Sequence, residues 1–116
     1  MFNFEKLDVW RKAIDFTDLV YNQTRQFLSD KRFGLTNQMR RAAVSFSSNI
    51  AEGTSRLSQT DYARFIEIAT GSVFEVVSQA FIGRRQGFLN EEGFRSLYVG
   101  ADEIGRMLSG LRKSLV

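Results

Sequence analysis

Apolar residues recur every three or four positions along most of this chain, which is the spacing of amphipathic helices. Four such segments follow one another, at about 4–28, 34–58, 58–85 and 90–115. No convincing run of alternating apolar and polar residues, as a half-buried strand would need, stands between them. Short connections between four long amphipathic helices predict an all-α fold, an antiparallel up-down-up-down four-helix bundle.

Several helix ends carry recognisable capping residues. Ser58 and Asn90 precede the third and fourth segments, and their side chains are expected to accept hydrogen bonds from backbone N–H groups of the first turn. Leu57 and Tyr62 flank the Ser58 cap and are predicted to form a hydrophobic staple. Gly87 is predicted to end the third helix.

The second segment has a polar ridge beside its apolar stripe. The ridge residues are Gln38, Arg41, Ser45, Asn49, Glu52 and Arg56, and the stripe residues are Leu35, Met39, Ala42, Phe46, Ile50 and Gly53. A helix that only packs on a core would place long charged side chains opposite that core. Small hydrogen-bonding groups directly beside it predict a second contact, with another helix, another subunit or a ligand.

The first and third helices each carry two apolar stripes. On the third helix one stripe is Phe65, Ala69, Ser72, Val76 and Gly83, and the other is Thr70, Phe74, Val77 and Phe81. A monomeric bundle has one interior, so the extra stripes predict an interface between copies of the chain. The alternative is a wide apolar arc with partly exposed rings. Closed assemblies default to cyclic symmetry, but the pattern gives no subunit number.

The amino-acid composition excludes several kinds of functional site. The 116 residues fit a single domain, 1–116, with no cysteine, histidine or proline. Disulfides, Cys/His zinc sites and catalytic groupings that need an imidazole are therefore excluded. We expect no cofactor and no metal. The N-terminus lacks a signal-like apolar run and no segment approaches a membrane span of about 20 apolar residues, so we predict a cytoplasmic protein without membrane contact.

Positive charge is concentrated in the centre of the chain. The net charge is +3, and between residues 31 and 64 the ionised side chains are Lys31, Arg32, Arg40, Arg41, Arg56 and Arg64 against Glu52 and Asp61. A mildly basic protein of this kind is able to bind nucleic acid, although its charge does not require it.

The run QMRRAAVSFSSNIAEGTSRLSQTDYARFIEIATGSVFEV resembles the bacterial four-helix bundle family of 23S rRNA intervening-sequence proteins. The positions that match the family pattern are Gln38, Arg40, Arg41, Ala42, Ser45, Asn49, Ile50, Ala51, Glu52, Gly53, Arg56, Ser58, Phe65, Gly71, Ser72 and Glu75. The resemblance covers nearly the whole chain, and the block NIAEG is its most specific part. Ser29 and Ser47 stand where relatives often have proline, which should only ease the local backbone.

The resemblance implies an all-helical bundle that assembles as a homopentamer. It also implies kinship with the accessory variability determinant of diversity-generating retroelements, a basic pentameric barrel that partners a reverse transcriptase and binds nucleic acid. For most members of the family the function is not established.

The motif residues Asn49, Glu52, Gly53, Arg56, Ser58, Gly71, Ser72 and Glu75 are interpreted as structural. Asn49, Glu52 and Arg56 would form a polar network that fixes helix register, and Glu75 would answer an arginine of a neighbouring helix or subunit. Gly53 and Gly71 would let backbones approach closely. The alternative is that Asn49, Glu52 and Arg56 form a ligand or catalytic site.

The candidate nucleic-acid contacts are Arg32, Arg40, Arg41, Arg64, Arg84 and Arg85, for which an ordinary solvated face is the alternative. The predicted function is a non-catalytic homo-oligomer that binds RNA or DNA, or a nucleic-acid enzyme such as a reverse transcriptase. A protein-interaction scaffold without nucleic-acid contact is the alternative. A magnesium-dependent nuclease would have to rely on carboxylates such as Glu52, Asp61, Glu67 and Glu75, which have no metal-binding spacing.

Overall fold

The computed structural model describes residues 1–27 and 33–116 of the chain. A short 3₁₀ helix at Asn3–Lys6 is followed by four α-helices, α1 (Asp8–Thr24), α2 (Phe33–Gly53), α3 (Gln59–Arg85) and α4 (Glu91–Leu115). Each helix packs against its neighbours in sequence, and α4 packs back against α1, so the four form a closed ring around one core. The predicted all-α four-helix bundle is confirmed.

Contacts between neighbouring helices show that their directions alternate. Residue numbers rise along one helix as they fall along the next, with the facing pairs Gly53–Phe65, Ser45–Ser72 and Leu35–Gly83 between α2 and α3. Between α1 and α4 the facing pairs are Lys12–Glu103, Phe16–Gly100 and Gln23–Gly93. The result is an elongated bundle of 44 × 21 × 20 Å.

The first two helices are shorter than predicted. Leu7 has an extended backbone (φ −81°, ψ 124°) that separates the 3₁₀ helix from α1, so a single helix starting at residue 4 is wrong. The α1 helix ends at Thr24, with Arg25 as its C-cap, so the predicted end at about residue 28 is also wrong. The α2 helix ends at Gly53 rather than at Ser58, and residues 54–58 form the turn into α3.

Three of the predicted helix-end features are confirmed. The Ser58 hydroxyl accepts a hydrogen bond from the Asp61 N–H at 3.1 Å, and the Asn90 side chain accepts one from the Gly93 N–H at 2.7 Å. Gly87 has φ +78°, in the left-handed region that favours glycine. The Phe88 N–H then bonds to the Gly83 carbonyl at 2.9 Å, which ends α3 in a Schellman motif.

The predicted staple between Leu57 and Tyr62 is wrong. Leu57 is fully exposed (105%), whereas Tyr62 is half-buried against the end of α2. A staple requires the residue before the cap to turn back over the first helical turn. Here the turn after Gly53 directs Leu57 away from the bundle.

The core consists of the stripes that the periodicity indicates. On α2 the side chains of Met39, Ala42, Phe46 and Ile50 are buried, and on α4 those of Leu97, Ala101, Ile104 and Leu108. The Phe46 ring meets Phe16 of α1 edge to face, with 5.7 Å between ring centroids. Lys12 Nζ and Glu103 Oε1 lie 2.6 Å apart at the edge of the α1–α4 contact, and this hydrogen bond raises the pKa of Lys12.

The expectation that no segment is long and apolar enough to span a membrane is wrong for one helix. By length and composition alone, α3 could cross a membrane, with an 18-residue window of mean hydropathy 1.4. A helix that carries two apolar stripes passes the same test. One stripe of α3 is buried in the bundle except for the half-buried Phe65, and the other borders an open groove between α3 and α4.

Candidate functional site

Polar side chains of the predicted ridge connect α2 to α3. The buried Ser72 hydroxyl of α3 donates to Ser45 Oγ of α2 at 3.2 Å. Asn49 Nδ2 donates to the Ser45 carbonyl at 2.8 Å and to Ser45 Oγ at 3.2 Å. Because a slip of one helix along the other would leave the buried hydroxyl without this partner, the three residues help to fix the register of α2 against α3.

The other charged members of the motif lie outside this network. Glu52 and Arg56 are exposed, and their nearest charged atoms are 3.8 Å apart. The Arg56 guanidinium also lies over the Phe65 ring, 4.3 Å from its centroid. Glu75 is exposed, and the part of the chain that the structure describes offers it no arginine partner. An exposed pair such as Glu52–Arg56 contributes little to stability.

The two motif glycines differ in their surroundings. A Cβ at Gly53 would lie 3.0 Å from Tyr62 Cδ1 and 3.2 Å from Phe65 Cβ, so α2 and α3 approach closely there, as predicted. Burial at this contact raises the pKa of the Tyr62 phenol. A Cβ at Gly71 would meet no atom within 4 Å. The predicted close approach at Gly71 is therefore wrong within a single chain.

Two of the candidate arginines are engaged inside the bundle. Arg40 Nε donates to Thr24 Oγ1 at 2.9 Å, and its guanidinium lies 4.5 Å from the centroid of the Tyr21 ring. The Arg84 guanidinium lies 3.8 Å from the centroid of the Phe94 ring, and its Nη1 is 3.3 Å from Glu91 Oε1. Each arginine therefore joins two helices, and its planar cation is largely covered on one face.

Three other candidate arginines are free. Arg41, Arg64 and Arg85 are exposed and make no side-chain hydrogen bond or ion pair with any residue in 1–27 or 33–116. The sixth candidate, Arg32, lies outside the described residues. Arg64 and Arg85 are 21 positions apart, which places them about 30 Å apart along α3 and about 60° apart around it. They therefore occupy the same side of the helix, near its two ends.

An apolar groove runs between α3 and α4. Its volume is about 860 Å³, and the second apolar stripe of α3 (Thr70, Phe74, Val77 and Phe81) forms one wall. Phe74 and Phe81 are 70% and 41% exposed, although the Phe81 ring also packs on the buried Phe94 ring, with 4.8 Å between centroids. An interface between copies at this stripe stays a prediction. The opposite wall belongs to α4 and includes Tyr98, Ala101 and Gly105.

The α4 wall was missed at the sequence level. Tyr98, Ala101, Gly105 and Ser109 recur every three or four positions at the edge of the core seam, which shares Ala101, but only one of them is large and apolar. The sequence signal for this wall was the spacing of small residues, three or four positions apart, on a helix that also carries a strong core stripe.

Carboxylates do not converge in the described parts of the chain. No group of three or more acidic side chains there is arranged to hold a metal ion. Glu67 instead forms an ion pair with Arg112 of α4 at 3.1 Å, and Asp61 lies in the first turn after the Ser58 cap.

Sequence comparison places this fold in a family. The sequence profile described as "23S rRNA-intervening sequence protein" matches residues 5–110 of the chain. The chain belongs to the 23S rRNA-intervening sequence protein family. The resemblance carried by the NIAEG block, Asn49 to Gly53, is thus confirmed.

A solved structure supports the same fold for this family member. It is a crystal structure from Bacteroides thetaiotaomicron VPI-5482, described as a protein with unknown function from the S23 ribosomal protein family. Its TM-score is 0.84 at 22% sequence identity, and the match covers 90% of this chain and 98% of that chain. At this identity the likeness shows the fold alone. A comparison with curated proteins finds no match.

Proposed function

We propose that this member of the 23S rRNA-intervening sequence protein family is a non-catalytic, self-associating bundle that binds nucleic acid through exposed arginines. The observation that carries the proposal is that three of the candidate arginines, Arg41, Arg64 and Arg85, are exposed and make no side-chain hydrogen bond or ion pair with the described residues. Such side chains are able to contact phosphates without first giving up an internal ion pair. They would position a nucleic-acid backbone without reading its sequence.

The spacing of the arginines suits an extended ligand. Arg64 and Arg85 lie about 30 Å apart on one side of α3, close to the roughly 34 Å of one turn of duplex DNA. Three contacts from one subunit give only weak binding. Repetition of the same contacts in a closed homo-oligomer, for which the family resemblance implies five copies, would raise the avidity and steepen its salt dependence.

The experiment is a binding series with RNA and DNA across increasing salt. Replacing Arg41, Arg64 and Arg85 together with glutamine should weaken binding and flatten the salt dependence. On duplex DNA the slope of log K against log salt should fall by about 0.9 for each phosphate that the variant no longer neutralises. The matched control replaces three other exposed arginines, Arg11, Arg25 and Arg95. Both variants lower the net charge from +3 to 0, so a difference between them reports position rather than charge.

The second candidate function is a protein-interaction scaffold without nucleic-acid contact, and the apolar groove between α3 and α4 favours it. Such a scaffold would recognise a nucleic-acid enzyme, a reverse transcriptase for example, by apolar burial. Absence of RNA and DNA binding at low salt would reject the first function and leave this one. Binding that the triple substitution and its control weaken equally would reject the role of the three named arginines.

Catalysis is not part of the proposal. With magnesium present we expect no cleavage of RNA or DNA by the wild-type protein, since Glu52 and Glu67 each face an arginine and Glu75 stands alone. The measurement is a nuclease assay that includes the Glu52→Gln and Glu75→Gln variants. Cleavage by the wild type that disappears in both variants would contradict this view.

A further inference from the structure

We propose that the groove between α3 and α4 receives Phe74 from a second copy of this chain, above the open backbone of Gly105. The inference rests on the proposed self-association and adds the surface at which it occurs. It is independent of whether the assembly binds nucleic acid.

The groove has a protruding ring and an empty space side by side. Phe74 projects from α3 and is 70% exposed. On the facing helix, a Cβ at Gly105 would meet no atom within 4 Å, although Gly105 lines the groove. The Phe74 ring of the same chain therefore leaves the space above Gly105 open. A protruding ring beside an unfilled trough is the shape that ridges-into-grooves packing completes.

The Phe74 ring and the space above Gly105 lie at the same height along the bundle. Glu67 pairs with Arg112 at one level, and Phe81 contacts Tyr98 at another, with ring centroids 6.3 Å apart. Phe74 lies seven residues from both Glu67 and Phe81, and Gly105 lies seven residues from both Arg112 and Tyr98. The two positions thus stand midway between the two cross-helix contacts.

Equal height matters because most homo-oligomers have cyclic symmetry. Rotation about an axis parallel to the helices changes no residue's height. In such an assembly, Phe74 of one copy arrives at the level of Gly105 of its neighbour without any shift along the bundle. This match in height holds for any number of subunits, two or five for example, as long as the symmetry axis is parallel to the helices.

The charged side chains beside the groove are compatible with its being covered by a second copy. The ionic groups along the groove are paired within the chain, Asp102 with Arg106 at 3.1 Å and Glu67 with Arg112 at 3.1 Å. A partner that covers the groove therefore buries charges that are already paired, which costs less than burying a charge without a partner. The walls of the groove also offer no unpaired positive charge to a ligand such as nucleic acid.

The exposed rings supply a large part of the area that an interface of ordinary size needs. Phe74, Phe81 and Tyr98 are 70%, 41% and 47% exposed. If a fully exposed aromatic side chain presents about 200 Å², these three leave about 300 Å² uncovered. That is about two fifths of the roughly 800 Å² per partner in a standard interface, from three side chains.

The experiment measures self-association by analytical ultracentrifugation from 1 to 100 μM. Phe74→Ser removes the ring, and Gly105→Leu fills the space. Each is expected to weaken association at least tenfold. Gly110→Leu is the matched control, because Gly110 lies on the same helix, is exposed and does not line the groove. It should associate as the wild type does.

Cross-linking gives a second readout that does not depend on weakened assembly. The chain has no cysteine, so single substitutions carry unique thiols. When Phe74→Cys and Gly105→Cys proteins are mixed, a short bismaleimide should join them into mixed dimers. Phe74→Cys mixed with Gly110→Cys should give few. Circular dichroism checks that each variant keeps its helical content, and since Phe74 is exposed, Phe74→Ser is expected to fold normally.

The outcomes separate this inference from the proposed function. A wild-type monomer at 100 μM would overturn both the self-association and the groove contact. A wild-type oligomer that Phe74→Ser leaves unchanged, and that gives no cross-link between positions 74 and 105, would overturn the groove contact alone. An apolar helix from a different protein would then be the remaining occupant of the groove.

Discussion

Replacing Phe46 with alanine is expected to lower the free energy of unfolding by about 3–5 kcal/mol. Phe46 is fully buried, and its ring packs edge to face against Phe16. The substitution removes an aromatic side chain from the centre of the core and leaves a cavity that fixed helices cannot close. Urea unfolding followed by circular dichroism at a fixed protein concentration measures the change.

Val44→Ala is the matched control on the same helix. Val44 is 44% exposed and lies outside the core, so its truncation should change the free energy of unfolding by no more than about 0.5 kcal/mol. A loss below about 1 kcal/mol for Phe46→Ala would mean that the core around α2 is loosely packed and closes over the missing ring. Since small domains are stable by only about 5–15 kcal/mol, the variant should already be partly unfolded in moderate urea.

Alanine at Gly53 and alanine at Gly71 should change stability in opposite directions. At Gly53 the new Cβ would lie 3.2 Å from Phe65 Cβ, which is fixed to the α3 backbone, so α2 and α3 must move apart. We expect a loss of about 1–3 kcal/mol. At Gly71 the new Cβ meets nothing, and the helix gains about 0.5–1 kcal/mol from the better intrinsic propensity of alanine.

Thermal unfolding of both variants at one protein concentration tests this pair, because self-association makes the midpoint concentration-dependent. Both residues lie in α-helices and neither has a positive φ, so backbone conformation is the same in the two experiments. Stabilisation by Gly53→Ala would show that α2 and α3 can move apart at this contact with little loss of free energy. Destabilisation at Gly71 would show that its outer surface is covered in the assembled protein.

The sequence was sufficient for most of the fold because its signals are local. The Ser58 and Asn90 caps, the Gly87 stop and the α4 core seam depend only on residues within one or two helical turns. Apolar periodicity then identified which side of each helix lies inside. The family resemblance independently implied the same four-helix bundle.

What could not be predicted depends on the neighbouring helix. Arg40 and Arg85 both have the sequence pattern of surface arginines, yet Arg40 reaches Thr24 and Tyr21 of α1, whereas Arg85 is free. Helical periodicity gives the direction in which a side chain points but not what stands opposite it. The exposure of Leu57 was missed for a related reason, since the path of the chain after Gly53 decides it.

The ring order of the helices also bears on how the chain reaches this structure. Three of the four interhelical contacts join consecutive helices, which meet after closing only a short loop, so little chain entropy is lost at each step. Only the contact of α1 with α4 links the two ends of the sequence. A topology dominated by such local contacts is typical of rapid folding, with the meeting of α1 and α4 as its most costly step in entropy.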